Sequence, residues 1–381
     1  MPQGLRVAFL ESSPTLGGGQ HNLLSILAHL NRVRFTPSVV CSKEGPFTGA
    51  LHTMGLPPTL FEMGRLRQRY LWNYLPHKRR LATWFKENKI QLVVANSFPA
   101  GKLGFPAAYD AGIPAILYKQ IIIHKSRFSS TAAIYRFYLR RCDRIIAVSE
   151  ACRRGLVEIG IPEKIIVVIP NGVDTEKWKP GVEGNAFRKS FGIEETALLV
   201  GTVAVPRPEK GIEVLLQAWA EVVNKHSPAR LAIVGAPEPS QQAYGQTLRS
   251  VCRSLGIDGS VVFCGYLQDL QPAYGAFDLF VSSSHSEAFG LSLAAAMACG
   301  KPVVSTRSGG PDEIVEDGVS GCLCLPGDPV ALSKAILGMI ADGDKRNEMG
   351  RAARKRIADR FSLDRQIQSL EKLFCEVAGN G

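Results

Sequence analysis

The sequence predicts an α/β protein with two domains, each built on a parallel sheet that helices cover on both faces. Apolar, β-branched runs alternate with helical stretches along the chain, and this alternation restarts after one turn-rich break. With 381 residues the chain is also longer than one hydrophobic core usually supports. We therefore expect two doubly wound domains.

The first series contains six strand-like runs. They are Arg6–Leu10, Ser38–Cys41, Leu92–Ala95, Ala115–Tyr118, Ile145–Val148 and Ile165–Ile169. The break follows at residues 170–174 and 179–181, where the density of Pro, Asn, Gly and Asp is typical of a connection between domains. A first Rossmann-like domain is therefore expected over residues 1–170.

The second series again contains six runs. They are Ala197–Thr202, Leu231–Val234, Val261–Cys264, Leu279–Ser282, Pro302–Ser305 and Gly321–Leu325. Helical stretches such as residues 211–225 separate them, and the tail over residues 346–377 is predicted to be helical from its charges and periodic Leu, Ile and Phe. We expect a second Rossmann-like domain over residues 171–360, facing the first across a cleft.

Composition excludes several classes of protein. No stretch approaches the ~20 apolar residues of a membrane-spanning helix, and the first residues leave no room for a signal peptide, so a cytoplasmic protein is expected. The nine cysteines are odd in number and contain no Cys-x-x-Cys pair. Reduced thiols are therefore expected, and not a disulfide framework or a zinc site.

The positive charge lies in the first half of the chain. The net charge is +11 in total, +14 over residues 1–170 and −3 over the remainder. Between Gly64 and Lys89 eight basic residues are interleaved with five aromatic ones. The basic residues are Arg65, Arg67, Arg69, Lys78, Arg79, Arg80, Lys86 and Lys89, and the aromatic ones are Tyr70, Trp72, Tyr74, Trp84 and Phe85.

This basic and aromatic stretch has two interpretations. It can hold the domain on an anionic membrane surface, at about 1 kcal/mol for each basic side chain, with a lipid-linked substrate within reach. Alternatively it is a solvated helical face whose aromatics pack inward. No nucleic-acid module accompanies it, so no nucleic-acid partner is expected.

A glycine-rich turn joins the first strand to the helix predicted over residues 21–30. The turn consists of Gly17, Gly18, Gly19 and Gln20. Backbone N–H groups at such a helix start favour a phosphate or a sugar hydroxyl. Asn22 stands where a dinucleotide fingerprint needs glycine, which disfavours a nicotinamide dehydrogenase. A purely structural strand-to-helix turn is the alternative.

In the second domain, two segments that connect a strand to a helix carry candidate binding residues. Arg207 and Lys210 could hold a diphosphate, the first by a bidentate fork and the second as a point charge, or they could be solvated surface charges. Glu287 precedes Gly290 and the apolar helix predicted over residues 292–299. A carboxylate there can accept sugar hydroxyls while the backbone N–H groups bind a phosphate.

In their order and spacing these motifs resemble the retaining glycosyltransferases of family 4, which have the GT-B fold. The resemblance covers nearly the whole chain. It rests on residues 17–19, 144–150, 169–174, 208–211, 284–290, 309–313 and 317–321. It implies that the second domain binds a nucleotide sugar, that the first binds the acceptor, and that the helix over residues 361–381 crosses back to the first domain.

The resemblance also implies an activity. A sugar is transferred with retention from a nucleotide-diphosphate sugar to a saccharide or lipid-linked acceptor, in the synthesis of cell-envelope polysaccharide or glycolipid. No cofactor and no obligatory metal are expected, because positioning and charge stabilisation of the leaving group supply most of the catalysis. Such a protein works in the cytoplasm, with a possible peripheral position on the inner face of the membrane.

Roles for individual residues follow from the resemblance. Glu287 is expected at the donor sugar and His124 near the reacting centre, with Lys119 as an alternative. Residues expected at the donor nucleotide and diphosphate are Arg207, Lys210, Tyr266, Ala288, Phe289, Gly290, Leu291 and Ser292.

Two positions depart from the family pattern. The second of two glutamates, which accepts hydrogen bonds from the ribose, is replaced by Ala295, and an arginine that precedes the phosphate-binding lysine is replaced by Val205. Losing such contacts weakens donor binding by roughly one to two decades each. A non-catalytic GT-B protein that binds saccharide or acts as a scaffold is therefore the first alternative, and a sugar-nucleotide epimerase is the second.

Overall fold

The computed structural model describes residues 4–63, 71–226, 228–238 and 241–379. The chain divides into two compact units, of which unit 1 comprises residues 1–172 and 363–381 and unit 2 comprises residues 173–362. The chain therefore passes between the units twice. The first passage lies two residues beyond the predicted boundary at 170, and the second lies at the start of the last helix.

Unit 1 contains a parallel seven-stranded sheet with the order β3-β2-β1-β4-β5-β6-β7. Its strands are β1 Leu5–Glu11, β2 Phe35–Cys41, β3 Thr59–Leu60, β4 Leu92–Ala95, β5 Ala115–Lys119, β6 Arg144–Ala147 and β7 Ile166–Val168. Its helices are α1 Gly18–His29, α2 Pro46–Thr53, α3 Leu71–Glu87, α4 Phe98–Ala111, α5 Ser130–Leu139, α6 Glu150–Glu158 and, from the end of the chain, α15 Leu363–Gly379.

Unit 2 contains a parallel six-stranded sheet with the order β10-β9-β8-β11-β12-β13. Its strands are β8 Leu199–Val203, β9 Arg230–Val234, β10 Val261–Gly265, β11 Leu279–Ser282, β12 Val303–Thr306 and β13 Cys322–Cys324. Its helices are α7 Asn185–Ser190, α8 Ile212–Lys225, α9 Gln242–Ser254, α10 Gln271–Ala276, α11 Leu291–Ala298, α12 Pro311–Ile314, α13 Pro329–Ala341 and α14 Gly343–Arg360.

The structure confirms the predicted fold class of two Rossmann-like parallel sheets. Every predicted run overlaps an observed strand, because central strands of parallel sheets are buried on both faces and need continuous apolar sequence. Among the strands of the described residues, the two-residue edge strand β3 is the one that was not predicted. All nine cysteines are unpaired, as expected, and no helix in the described ranges is long and apolar enough to cross a membrane.

Two helix boundaries differ from the prediction. Helix α1 begins at Gly18, three residues early, because Gln20 folds back and its side chain accepts the Gly17 N–H at 3.1 Å. The predicted tail helix is divided into α14 and α15. The break is stabilised by the Val173 N–H, which donates to the Phe361 carbonyl at 2.8 Å, and by a bridge from Val173 to Ser362.

Helix α15 is fixed to unit 1 by apolar and polar contacts. The ring of Phe374 packs edge-on against Phe9 and Phe35, with centroids 6.1 and 6.2 Å apart. The buried side chain of Gln366 donates to Tyr118 Oη at 2.6 Å and accepts the Gly172 N–H at 2.8 Å. The last helix is thus part of the unit 1 core.

Gln366 completes a buried polar network. Tyr118 Oη donates to Asn171 Oδ1 at 2.8 Å and accepts from Asn22 Nδ2 at 3.2 Å, while Gln366 Nε2 also donates to Asn22 Oδ1 at 3.1 Å. Burial raises the pKa of Tyr118, and its hydrogen bonds to Asn22 and Gln366 partly oppose the rise. The phenol therefore stays neutral and holds α1, β5 and α15 together.

Replacing Gln366 by Leu should destabilise unit 1 by about 3 kcal/mol, because it leaves buried donors and acceptors without partners. Urea unfolding measures this loss. Gln368→Leu, an exposed change on the same helix, should have little effect. Equal stability of the two variants would show that the network does not hold α15.

Candidate functional site

Both sheets reverse their strand order at a point where parallel strands leave room for a ligand. The reversal lies between β1 and β4 in unit 1 and between β8 and β11 in unit 2. In open α/β sheets, ligands bind outside the carboxyl ends of the strands at such points. The segments that follow β8 and β11 carry all of the predicted donor-binding residues except Tyr266, which follows β10.

In unit 2 the structure brings Lys210 and Glu287 together. Lys210 lies at the end of a 3₁₀ turn after β8, and Glu287 lies in the loop between β11 and α11. Lys210 Nζ donates to Glu287 Oε2 at 2.5 Å, and the side chains are 29% and 18% exposed. The two charges neutralise each other at the edge of the sheet while both remain accessible.

The backbone joins the two loops closely. The His285 N–H donates to the Glu209 carbonyl at 2.8 Å, and Ser283 Oγ donates to the Lys210 carbonyl at 2.9 Å. Gly211 starts α8 at a positive φ of 59°, and a Cβ there would lie 2.2 Å from the Ser283 carbonyl oxygen. Only glycine permits this approach, so Gly211 fixes the position of Lys210.

A second backbone contact holds the loop of Glu287 from the other side. The Glu287 N–H donates to the Ser308 carbonyl at 2.9 Å, and the Gly310 N–H donates to the Glu287 carbonyl at 2.8 Å. A Cβ on Gly310 would lie 2.4 Å from the Phe289 Cα. The glycines before α12 therefore let the loop lie flat against them, and the carboxylate of Glu287 is positioned before any ligand binds.

The start of α11 lies directly after this loop. Gly290 adopts a positive φ of 102° at the N-cap, and the following residues Leu291 and Ser292 form the first turn, whose N–H groups have no partner within the helix. Phe289 is buried against Phe361, with ring centroids 6.0 Å apart. The start of α11 and its unpaired N–H groups therefore give this edge a positive helix end next to the Lys210–Glu287 pair.

Other predicted donor residues are placed differently. Arg207 forms an ion pair with Glu238 after β9, and so points to a carboxylate outside the Lys210–Glu287 pair. Tyr266 follows β10 and is 65% exposed, while Ala288 is half-buried. Val205 is exposed in the loop after β8, and Ala295 is buried within α11.

One Asp-x-Asp pair occurs in unit 2, at Asp342 and Asp344. Asp342 is the N-cap residue of α14, and its Oδ1 accepts a hydrogen bond from the Lys345 N–H at 2.9 Å. Asp342 therefore caps the helix, and Asp344 lies in its first turn. Within the described ranges, no three His, Cys, Asp or Glu side chains are grouped closely enough to hold a metal ion.

In unit 1 the glycine turn lies beside a buried carboxylate that the sequence analysis missed. Glu11, at the end of β1, is buried and accepts from Asn96 Nδ2 at 2.6 Å and from Gln20 Nε2 at 3.0 Å. Asn96 Oδ1 in turn accepts from Gln120 Nε2 at 2.8 Å. A polar residue directly after each of the buried strands β4 and β5 is the signal that could have identified Asn96 and Gln120.

Gly19 lies close to the side chain of Gln120. A Cβ there would lie 3.3 Å from the Gln120 amide nitrogen, so that side chain would have to shift by a few tenths of an ångström. The glycine turn thus packs against the buried Glu11 and Asn96 and the half-buried Gln120 at the strand-order reversal. Of these three side chains, the Gln120 amide is the one partly exposed to a ligand.

The two predicted alternatives near the reacting centre differ in environment. His124 is exposed in the loop after β5, five residues beyond the strand end. Lys119 is buried under Tyr135, with Nζ 3.2 Å from the phenol oxygen. Burial lowers the pKa of Lys119 to about 8, and the neighbouring Cys152 partly opposes this shift. Lys119 therefore lies beneath the surface, and the exposed one of the two is His124.

Comparison with known proteins identifies the family. Residues 16–177 match the model of Glycosyltransferase Family 4, and residues 184–356 match that of Glycosyl transferases group 1. The chain belongs to glycosyltransferase family 4. This result confirms the assignment made from the motifs, with one model on each unit of the glycosyltransferase.

Curated relatives share part of their length with this glycosyltransferase. N-acetyl-alpha-D-glucosaminyl L-malate synthase of Bacillus anthracis is 27% identical over 245 residues, which is 64% of this chain and 62% of that protein. D-inositol 3-phosphate glycosyltransferase of Geodermatophilus obscurus is 32% identical over 243 residues, which is 62% of this chain and 53% of that protein. The chain thus spans less than two thirds of these relatives.

A solved structure matches over nearly the full length. Anabaena Alr3699/HepE in complex with UDP and glucose has a TM-score of 0.85 and 26% identity, and the match covers 97% of this chain and 99% of that one. The same Anabaena protein in complex with UDP-glucose gives a TM-score of 0.84 and 25% identity, covering 99% and 100%. The glycosyltransferase therefore has the GT-B fold.

The buried Lys119 should make the stability of the glycosyltransferase depend on pH. Its pKa of about 8 lies below the 10.5 of an ordinary lysine. Between these values the unfolded chain holds a proton that the folded chain has released, so stability should rise with pH. Below pH ~8 the folded chain buries the charged Lys119 ammonium, and this lowers the free energy of unfolding by up to about 3 kcal/mol.

Urea unfolding of Lys119→Met at pH 7, 9 and 10 tests this. The variant should be more stable than the wild type at pH 7 and should lose that advantage as pH rises. Lys43→Met, an exposed control in unit 1, should leave the pH profile unchanged. A Lys119→Met profile parallel to that of the wild type would show that the amine is not desolvated.

Proposed function

We propose that this glycosyltransferase moves a sugar from a nucleoside-diphosphate sugar to a hydroxyl of a saccharide or lipid-linked acceptor, with retention of configuration. The observation that carries the proposal is the Lys210–Glu287 pair beside the start of α11. It places a cation, a carboxylate and unpaired helix N–H groups at one edge of unit 2. These are the groups that a sugar diphosphate requires.

Donor binding changes the ion-pair partners of Lys210 and Glu287. Before binding, Lys210 neutralises Glu287 at 2.5 Å. A diphosphate offers Lys210 a stronger anionic partner, and this frees the Glu287 carboxylate to accept hydroxyls of the donor sugar. Because the backbone contacts to Glu209 and Ser308 hold both loops, only the two side chains need to move.

Departure of the diphosphate develops negative charge on the leaving phosphate oxygen. Lys210 and the N–H groups of Leu291 and Ser292 oppose that charge without an obligatory metal. The acceptor hydroxyl then attacks the same face of the sugar and gives its proton to the leaving phosphate oxygen, so the configuration is retained. The Anabaena protein solved with UDP-glucose supports a UDP-sugar as donor, with the exposed ring of Tyr266 available to the base.

Unit 1 is proposed to bind the acceptor. The turn of Gly17–Gly19 and the half-buried amide of Gln120 present hydrogen-bonding groups, which the buried Glu11 and Asn96 order from beneath. His124 is proposed to assist near the reacting centre from the loop after β5. The curated relatives' names, which include an inositol phosphate glycosyltransferase, support a polyhydroxylated acceptor.

A lipid-linked acceptor would place this protein at a membrane surface during cell-envelope synthesis. Part of the predicted basic stretch lies outside the described residues, namely residues 64–70 and the side chains of residues 71–73. The described part of α3 presents exposed Arg79, Arg80, Lys86 and nearby Lys89. Its aromatics Tyr74, Trp84 and Phe85 pack inward, as the alternative interpretation expected.

Transfer of an isotope-labelled sugar tests the proposed function. The purified protein is incubated with UDP-, GDP- and ADP-sugars and a membrane extract, and the labelled product is isolated. We expect one donor to label a saccharide or lipid-linked product. Glu287→Gln, which keeps the shape and removes the charge, should lower the rate about 100-fold, and Lys210→Met should weaken UDP binding by about 10- to 100-fold.

Matched controls are available on α8. Glu221→Gln and Lys225→Met are exposed changes in unit 2 and should leave transfer and UDP binding unchanged. Binding of a saccharide without turnover of any donor would favour the non-catalytic alternative. A change in the donor without an acceptor would favour the epimerase, and analysis of the labelled product separates these results.

A further inference from the structure

The outward face of α5 in unit 1 is apolar, where a helix that covers a sheet normally exposes polar side chains. Ile134 and Phe137 lie three residues apart on this face, and Phe137 is 51% exposed. Their position leaves Ala132 and Leu139 to face the core. The exposed apolar stripe therefore adds nothing to the packing of α5 on the sheet.

The loop before α5 presents a further aromatic side chain. Phe128 is 94% exposed at a turn in which the Ser129 N–H donates to the Ser126 carbonyl at 3.0 Å. Arg136 holds this turn, because its Nη1 donates to the carbonyls of Arg127 and Ile159 at 2.8 and 2.7 Å. Phe128 thus projects from a turn that the structure fixes.

Basic side chains surround these apolar ones. Residues 119–144 contain seven Lys and Arg and one acid, Asp143. The Asp143 carboxylate accepts the Ala115 N–H at 2.7 Å, so it is engaged at the start of β5. Lys125, Arg127 and Arg140 form no ion pair with any residue that the structure describes. Their charge is therefore not compensated by acidic groups on this surface.

The surface continues onto α4. The guanidinium of Arg141 lies 5.6 Å from the ring centroids of both Phe137 on α5 and Tyr109 on α4. Tyr109 is exposed, and its neighbour Asp110 pairs with Lys78 of α3 at 2.6 Å. The apolar and basic side chains thus form one patch that extends toward the exposed basic residues of α3.

We propose that this patch, defined as Phe128, Ile134, Phe137 and the basic residues Lys125, Arg127, Arg140 and Arg141, binds the surface of an anionic lipid bilayer. Exposed aromatic and aliphatic side chains enter the boundary between headgroups and acyl chains, while the surrounding cations contact the lipid phosphates. The patch deepens the proposed function by placing unit 1 at a lipid-linked acceptor. It places the aromatic anchors on α5 and on the loop before it, because the described aromatic side chains of α3 pack inward.

Flotation with vesicles tests the patch without any need for turnover. Vesicles of phosphatidylcholine alone are compared with vesicles that contain about 30% phosphatidylglycerol. The wild type should float with the anionic vesicles only, and salt should weaken its binding. Phe128→Ser/Phe137→Ser should bind about tenfold more weakly, and Arg127→Glu/Arg140→Glu should also lose most of the salt dependence.

Val33→Ser is the matched control, because Val33 is an exposed apolar residue of unit 1 in the connection between α1 and β2, with 86% of its surface exposed. It should float as the wild type does. UDP titration of every variant reports on unit 2 and should give wild-type affinity. A failure of UDP binding in the wild type would contradict the donor site and leave the flotation result intact.

Four results would overturn the proposal. The first is wild-type flotation of both double variants, and the second is no flotation of the wild type with anionic vesicles. The third is a wild-type dimer in light scattering that becomes a monomer in Phe128→Ser/Phe137→Ser, while flotation does not change. That result would mean that the patch binds a second copy of the chain. The fourth is that the double variants lose binding to an oligonucleotide and keep binding to vesicles. That result would mean that the patch binds nucleic acid and would also contradict the proposal.

Discussion

The ion pair between Lys210 and Glu287 is the interaction on which the proposed chemistry of unit 2 depends. Two opposite charges at the carboxyl edge of a parallel sheet can be largely buried because each offsets the other. Their separation of 2.5 Å is set by backbone bonds from neighbouring loops and by a glycine that permits close approach. A site ordered before the ligand arrives avoids reorganisation cost during the reaction.

In unit 1 a carboxylate is also held in place by its partners, but these partners are neutral groups. The buried Glu11 at the end of β1 is surrounded by amide donors and not by cations, so its hydrogen bonds orient Gln20 and Asn96 beside the glycine turn. Elsewhere in the same unit, Gln366 uses a buried amide network to attach the last helix. Polar side chains thus determine both the candidate acceptor surface and the extent of the unit.

Much of the fold could be predicted from sequence, because buried parallel strands require continuous apolar runs whatever their neighbours are. Lys210 and Glu287 could likewise be proposed from their places between strand and helix. Long-range partners were not predictable. The local sequence does not show that Arg207 pairs with Glu238 or that Lys119 is buried beneath Tyr135. It also does not show that the described aromatics of α3 pack inward while Phe137 of α5 is exposed.

The most direct test of the central claim is hydrogen–deuterium exchange with and without saturating UDP. Binding at the carboxyl edge of the unit 2 sheet predicts slower exchange in peptides that contain Lys210 and the Glu287–Ser292 loop, because bound phosphate occupies their N–H groups and restricts both loops. Protection confined to unit 1, or none at saturating UDP, would contradict this placement of the donor site.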